Sequence, residues 1–465
     1  MADLIRFVDS IVANPVVRLD MNDEPSIGGK WATAEFKAPP PMLRRSLASN
    51  AMRDGSYLSS AQYESRIITM KVDLICGTQE QSAVELQRLA RELDRTENWL
   101  MYQPTGSRAP VFFLLQRGII TDVIDIPAQA AIRQVTVELQ AEPFALGLRE
   151  DLGPFVVTND PTAVNGHYFD VTGVIGDVAA PAVLVNTTRS VGQGILAVRQ
   201  HGDPTFMNWW KPAESMVLSG GTANPGGGPD AAMAGTGTNN YVRTTFATTT
   251  MDKRLEWQLY NDTPSAERNR ATRGTYRAMA VVRRTDSTSV IKVQLTSTGT
   301  PTTLPLTTNR IVVDLGLTSI STYTDEQIGY SASSSAFLPG LGVYAQRVSG
   351  TGNLDWDYVV LVPADESQVQ WGTTIVGTSY DVVLDATREN VVTLTAGTPF
   401  DGSAIIFGAA SSVAGGLPSI VPDQVNRFVF VEQDTVSAGP IDKTHTSSFS
   451  LSYWPQYLFV RPASS

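Results

Sequence analysis

The sequence predicts a mainly β protein: an N-terminal β-sandwich or split barrel with one helix, followed by a β-sandwich that a jelly-roll insertion interrupts. Three observations carry that expectation. Apolar residues recur at period two in many short runs, the spacing of strands with one buried face. Glycine (37), proline (27) and abundant Thr and Ser divide those runs with turn material. Helical spacing is sustained convincingly in only one stretch.

The elements follow in chain order. APPP at 38 to 41 cannot enter a central strand, and NAMRDGSYLSS at 50 to 60 is polar, so both read as loops or extended arms. Ile68, Met70, Val72, Leu74 and Cys76 alternate with Thr69, Lys71, Asp73 and Ile75, a half-buried strand. Thr78 to Gln81 has the capping-box pattern and opens a helix with Ala83, Leu86, Ala90 and Leu93 on one face. That helix ends between Asp94 and Glu97, and Trp99 and Leu100 lead into the next strand. Val111, Phe113 and Leu115 continue the sheet, as do Val135, Val137 and Leu139, and the first domain closes near Arg149.

Phe155 to Val157, Tyr168 to Val174 and Ala182 to Val185 make a second strand group. NPGGGPD at 224 to 230 and GTGTNN at 235 to 240 are turn material. They lack the Lys-Ser/Thr pair that a phosphate loop requires. Strands then recur around Leu255 and Trp257, Tyr276 to Val282, Ile291 to Leu295, Ile311 to Leu315, Val343 to Gln346 and Leu354 to Val362, the density of a jelly roll. Further strands lie near Tyr380 to Leu384, Val425 to Val431 and Ser448 to Val460.

Composition bounds the function. A chain of 465 residues accommodates about two to four domains. With 42% hydrophobic and 17% charged residues it can bury a large core, which argues against disorder. A net charge of −11 disfavours general binding to nucleic acid or anionic membrane, and no sequence-specific nucleic-acid contact is expected. The lone Cys76 excludes an internal disulfide and reads as a buried, unreactive thiol. No run approaches the ~18 apolar residues of a membrane span, so membrane insertion is not expected. MADLIRFVDS carries charges at Asp3, Arg6 and Asp9, so synthesis in the cytoplasm without an export signal is expected.

The series RIITMKVDLICG, a helix, NWLMYQPTGSRAPVFFLLQ and VTVELQAEPFALG resembles the N-terminal domain of siphophage distal tail proteins, also called minor tail proteins in actinobacteriophages. The resemblance covers roughly the first third of the chain. GVIGDVAAPAVL at 173 to 184 looks like the start of that family's second sandwich. YDVVLDA at 380 to 386, GGLPSIVPDQVNRFVFV at 415 to 431 and SYWPQYLFVRP look like its end. The family's Pro-x-x-x-Asn turn falls at Pro422 to Asn426, with Asp423 where a glycine usually stands. The resemblance implies domains at 1–150 (ring-forming), 151–205 with 376–465 (second sandwich, discontinuous) and 206–375 (inserted jelly roll). GTYRAMAVVRRT at 274 to 285 and LDWDYVVLVPADE at 354 to 366 are similar to strands of carbohydrate-binding modules.

It further implies a structural virion protein without enzymatic activity, located at the distal end of the tail. Such a protein would form a homohexameric ring beneath the tail tube protein and let the tape measure protein pass. It would also hold the tail tip or baseplate hub and receptor-binding proteins. The alternative from the second resemblance is a host-adhesion protein that binds a surface glycan through the insert.

Chemistry-bearing residues are sparse. His167, His201 and His445 are too scattered for a zinc site. Gly329 to Ser333 comes nearest a nucleophile elbow but lacks its last glycine. Asp355, Asp357, Asp365 and Glu366 cluster in sequence, which does not supply the opposed carboxylates of a glycosidase. No cofactor is expected; a structural calcium ion at Asp357 is the metal candidate, against a solvated strand end. Trp257 and Trp356 read as core. Of the adjacent Trp209 and Trp210, one can face inward, and the other is a candidate to stack on sugar or to close an inter-domain joint. Arg268, Arg270, Arg273 and Arg277 read as a solvated basic edge.

Overall fold

The computed structural model describes residues 3–23, 30–49, 56–107, 109–125, 131–158, 166–186, 193–200, 210–219, 221–223, 241–258, 274–320, 340–364, 367–371, 381–387, 391–395, 405–406, 410–414, 419–433 and 446–459. The architecture is mainly β, built from antiparallel sheets with one α-helix among these residues. No helix among them is long and apolar enough to cross a membrane. The chain divides into two compact units. The first comprises 1–150, 175–180 and 453–465, and the second 151–174 and 181–452. The terminal SYWPQYLFVRP, expected in the second sandwich, thus belongs from Tyr453 onward to the first unit.

In the first unit the strands are β1 (Leu4–Val8), β2 (Val17–Asp20), β3 (Trp31–Lys37), β4 (Leu43–Ser49), β5 (Ser56–Tyr63), β6 (Arg66–Ile75), β7 (Asn98–Gln103), β8 (Val111–Asp125), β9 (Ile132–Ala141) and β10 (Ala145–Leu146), with helix α1 (Gln79–Leu93) between β6 and β7. The main sheet runs β2-β1-β7-β8-β9-β6-β3. The alternation in β6 is realised: Ile68, Met70, Val72 and Leu74 are fully buried against Val135, Val137 and Leu139 of β9. Cys76 follows the strand, half-buried beside this core, and burial pushes its thiol pKa up, away from the reactive thiolate.

Helix α1 starts as predicted. The Thr78 hydroxyl accepts from the Gln81 amide at 3.2 Å, and the Gln81 side chain accepts from the Gly77 amide at 3.2 Å. The buried face differs from the expected one. Ser82, Glu85, Leu89, Glu92 and Leu93 point inward, whereas Ala83 and Ala90 are exposed. Charge pairing makes this possible. Glu85 meets Lys30 at 2.7 Å, and Glu92 lies 3.0 Å from Arg18 and 2.9 Å from Arg95. Gly118 lets the helix close on the sheet, because a Cβ there would stand 2.5 Å from Leu93 Cδ2.

The second unit holds four sheets among the described residues. One follows the order Glu150–Thr158, Thr446–Tyr453, Ala180–Asn186, Asp381–Asp385, Val391–Thr395, Ile405–Ile406, with Ser419–Ile420 also on Ala180–Asn186. Another runs Tyr168–Val171, Asn426–Gln433, Gln193–Gln200, Ser367–Trp371, Ala410–Ala414. An aromatic stack binds these two, with Phe169 4.9 Å from Phe428, 5.0 Å from Phe155 and 5.3 Å from Phe449.

Residues 210–363 form the other two sheets. One runs Gly221–Ala223, Val242–Thr244, Leu354–Pro363, Gly274–Arg284, Ile311–Ile320, with Trp210–Pro212 on the Leu354–Pro363 strand. The other runs Val217–Leu218, Asp252–Gln258, Gly340–Ser349, Val290–Leu295, Thr302–Thr303. Trp257 and Trp356 are core residues as expected.

The Pro-x-x-x-Asn turn is built as the motif suggested. Asp423 has φ 56°, the left-handed conformation that glycine adopts at little cost. Asn426 seals the turn: its Oδ1 accepts from the Val421 amide at 2.7 Å and its Nδ2 donates to the Val421 and Gln424 carbonyls at 2.9 and 3.3 Å.

Candidate functional site: an exposed aliphatic surface and a buried ionic seam

Two places carry features that packing alone does not demand. The first is the surface of the N-terminal unit. Strands β4 and β5 pair with each other from Leu43↔Tyr63 to Ser49↔Ser56 and form a sheet of their own, so Ser56–Ser60, expected as loop or arm, is strand. The Glu64 amide donates to the Met42 carbonyl at 2.9 Å and ties the base of this hairpin. Met42 nevertheless leaves 73% of its surface in solvent, and Leu43 beside it is also exposed.

Strand β8 changes character along its length. Val111, Phe112, Phe113 and Leu115 are buried, whereas Ile119, Val123 and Ile124 are 41%, 42% and 49% exposed. Bulges at Leu115/Arg117 and Ile120/Asp122 re-aim the side chains of this outer half. Arg133 and Asp125, 2.8 Å apart, close its end. Aliphatic side chains exposed on a long strand, and others at a hairpin base, are surfaces that another chain could cover.

The second place is the Leu354–Pro363 strand, buried at all ten positions. Asp355 and Asp357 are 0% exposed, so the expected solvated strand end is corrected. Arg243 grips Asp355 with Nε at 2.6 Å and Nη2 at 2.9 Å, and Arg283 Nη2 adds a third contact at 2.9 Å. Both guanidinium groups lie over the Tyr241 ring, at 5.6 and 5.9 Å. Arg310 donates to Asp357 Oδ2 from Nε at 2.9 Å, with Nη2 2.7 Å away, and stands over Tyr358 at 5.8 Å. A buried carboxylate held by a guanidinium is already neutralised. Among the described residues no three His, Cys, Asp or Glu side chains gather into a group that could hold a metal ion.

His167 belongs to the same seam. Its Nε2 is 3.1 Å from the Tyr358 hydroxyl and its Nδ1 is 3.3 Å from the Phe430 carbonyl. Trp210 meets Tyr358 edge-on, ring centroids 6.3 Å apart, and packs on the core shared by Val429, Val431 and Val360. The ring of Trp210 is thus partly buried against these side chains. Trp209, His201, His445, Arg268, Arg270, Arg273, the 224–230 and 235–240 turns, Gly329 to Ser333, Asp365 and Glu366 lie outside the described residues. Arg277 is mostly buried and pairs with Asp314 at 2.5 Å, so it is not a solvated edge cation. The sequence reading missed Arg243, Arg283 and Arg310, whose partners lie 112, 72 and 47 positions away.

No protein-family model matches the chain, and no curated protein does. Among solved structures it is similar to SPP1 Dit (gp 19.1), titled a paradigm of the hub adsorption apparatus in phages infecting Gram-positive bacteria. That likeness has 7% identity and a TM-score of 0.37, covering 98% of this chain and 99% of that one. Two structures of the phage P2 baseplate in its activated conformation, with Ca and with Sr, align at 10% and 9% identity with TM-scores of 0.24 and 0.25. Each covers 94% of this chain and 100% of its own.

Proposed function

We propose that this protein is the distal tail hub of a long non-contractile phage tail, a structural component that closes into a hexameric ring. In this reading the N-terminal unit forms the ring, joins the tail tube protein above and leaves a lumen for the tape measure protein. The second unit holds tail tip or baseplate and receptor-binding proteins. Cyclic closure needs a heterologous interface in which one patch of each copy meets a different patch of the next. The observation that carries the reading is the surface of the N-terminal unit, where the β4–β5 hairpin base and the outer half of β8 both present aliphatic side chains. The ordered motifs from Arg66 to Gly147 support the same reading. Negative-stain microscopy of the purified protein tests it: sixfold rings are expected, and monomers at micromolar concentration overturn it.

A second reading, adhesion to a host glycan through residues 206–375, is favoured by the two sheets that 210–363 build for themselves. Trp209 and Trp210 are its sugar-stacking candidates; Trp210 is partly buried beside Tyr358 and Trp209 lies outside the described residues. A glycan-binding monomer in the same preparation would replace the first reading with the second.

A further inference from the structure

The first unit is assembled from three stretches of chain, and the last of them returns from far downstream. Gln456–Tyr457 forms a short strand on β10, with Ala145↔Tyr457 and Leu146↔Gln456 in register. The Gly147 amide donates to the Pro455 carbonyl at 2.8 Å. Asp177, on the middle stretch, donates its amide to the Gln456 carbonyl at 2.8 Å. Its carboxylate accepts from the Leu458 and Phe459 amides at 2.8 and 3.3 Å. The Ile175 amide donates to the Tyr453 hydroxyl at 2.9 Å.

These contacts converge on the core. Arg66, the first residue of β6, is buried; its Nε donates to the Pro143 carbonyl at 2.8 Å, and its Nη2 reaches the Tyr457 and Leu458 carbonyls at 3.4 and 3.3 Å. Burial pushes its pKa down to about 10, and those carbonyls compensate it. Tyr457 packs on the cluster that contains Val137, Leu139, Ala141 and Ala145. No space is left over: a Cβ on Gly147 would stand 3.0 Å from Tyr457 Cε2.

We propose that Tyr453–Phe459 is a clasp that completes the core of the first unit, so that its assembly-competent sheet forms only after the intervening second unit has been synthesised and the chain has returned. An early-made N-terminal domain would otherwise offer its apolar surface to other nascent chains. The clasp withholds the finished domain until the chain that carries the peripheral sandwich is attached and folded. The assembly consequence rests on the hub reading; the clasp itself does not.

The test uses the whole chain carrying Gly147→Val with Asp177→Asn, and Asp177→Asn alone as the milder variant. Hydrogen–deuterium exchange reads the clasp amides (Gly147, Leu458) and, separately, those of β6 and β9. Exchange is expected to rise at least about tenfold in both sets for the double variant, with a smaller rise of the same pattern for the single one. Faster exchange confined to 145–147 and 456–459, with β6 and β9 unchanged, overturns the clasp. Light scattering on the same samples follows self-association. A wild-type chain that is itself monomeric removes the hub reading, while the exchange pattern still decides the clasp.

Discussion

Strand β8 and the Leu354–Pro363 strand treat polarity in opposite ways. The outer half of β8 leaves Ile119, Val123 and Ile124 in solvent, whereas Leu354–Pro363 buries two carboxylates completely. A lone exposed aliphatic is ordinary, but several along one strand are not. A buried carboxylate is costly unless it is paired, and here three arginines pair two of them. One strand is therefore complete within its own chain, and the other is incomplete in that it leaves aliphatic side chains on both of its faces in solvent.

Removing a charge from the complete strand should have the largest effect. Asp355→Ala leaves Arg243 and Arg283 facing each other over Tyr241 without their shared anion. The expected loss is about 3–5 kcal/mol, measured by urea denaturation; a loss within experimental error would mean that the seam is hydrated.

Gly118, where β8 passes beneath α1, comes next. Gly118→Val pushes methyl groups onto Leu93 and Leu139 and should cost roughly 1–3 kcal/mol by overpacking. Thermal unfolding checks this, and a neutral result would show that α1 is free to move off the sheet. The smallest effect on stability belongs to the incomplete strand. Replacing Ile119, Val123 and Ile124 together by threonine should change unfolding by no more than about 0.5 kcal/mol per site. Sedimentation velocity should nonetheless report a loss of self-association. Unaltered association would assign the interface to the hairpin base around Met42 and Leu43.

The limits of the sequence follow the same division. Alternation in β6 and β9, the Thr78 cap and the Asn426 turn are local patterns, and each reappears in the structure. The inward face of α1 was displaced because Glu85 and Glu92 look like solvent residues until Lys30, Arg18 and Arg95 are brought beside them. Asp355 and Asp357 misled in the same way, since nothing at 354 to 366 announces arginines at 243, 283 and 310. The Gln456–Tyr457 strand is only two residues long, and its anchor Arg66 lies 391 positions from Tyr457, beyond any periodicity argument. The exposed aliphatics of β8 could have been noticed, because the run Ile119-Ile120 and Val123-Ile124 continues past the cleanly buried Val111 to Leu115.

The seam along Leu354–Pro363 has a mechanical consequence. This strand packs against Gln193–Gln200 and Asn426–Gln433 while remaining hydrogen-bonded within its own sheet. A pull on residues 210–363 would therefore load this second contact as well as the strand's own sheet. The β4–β5 hairpin has no such lateral support from another strand among the described residues, and its tie to the chain is concentrated near Met42 and Glu64. Under load the Leu354–Pro363 strand would be braced from a second sheet, and the hairpin would pivot at its root.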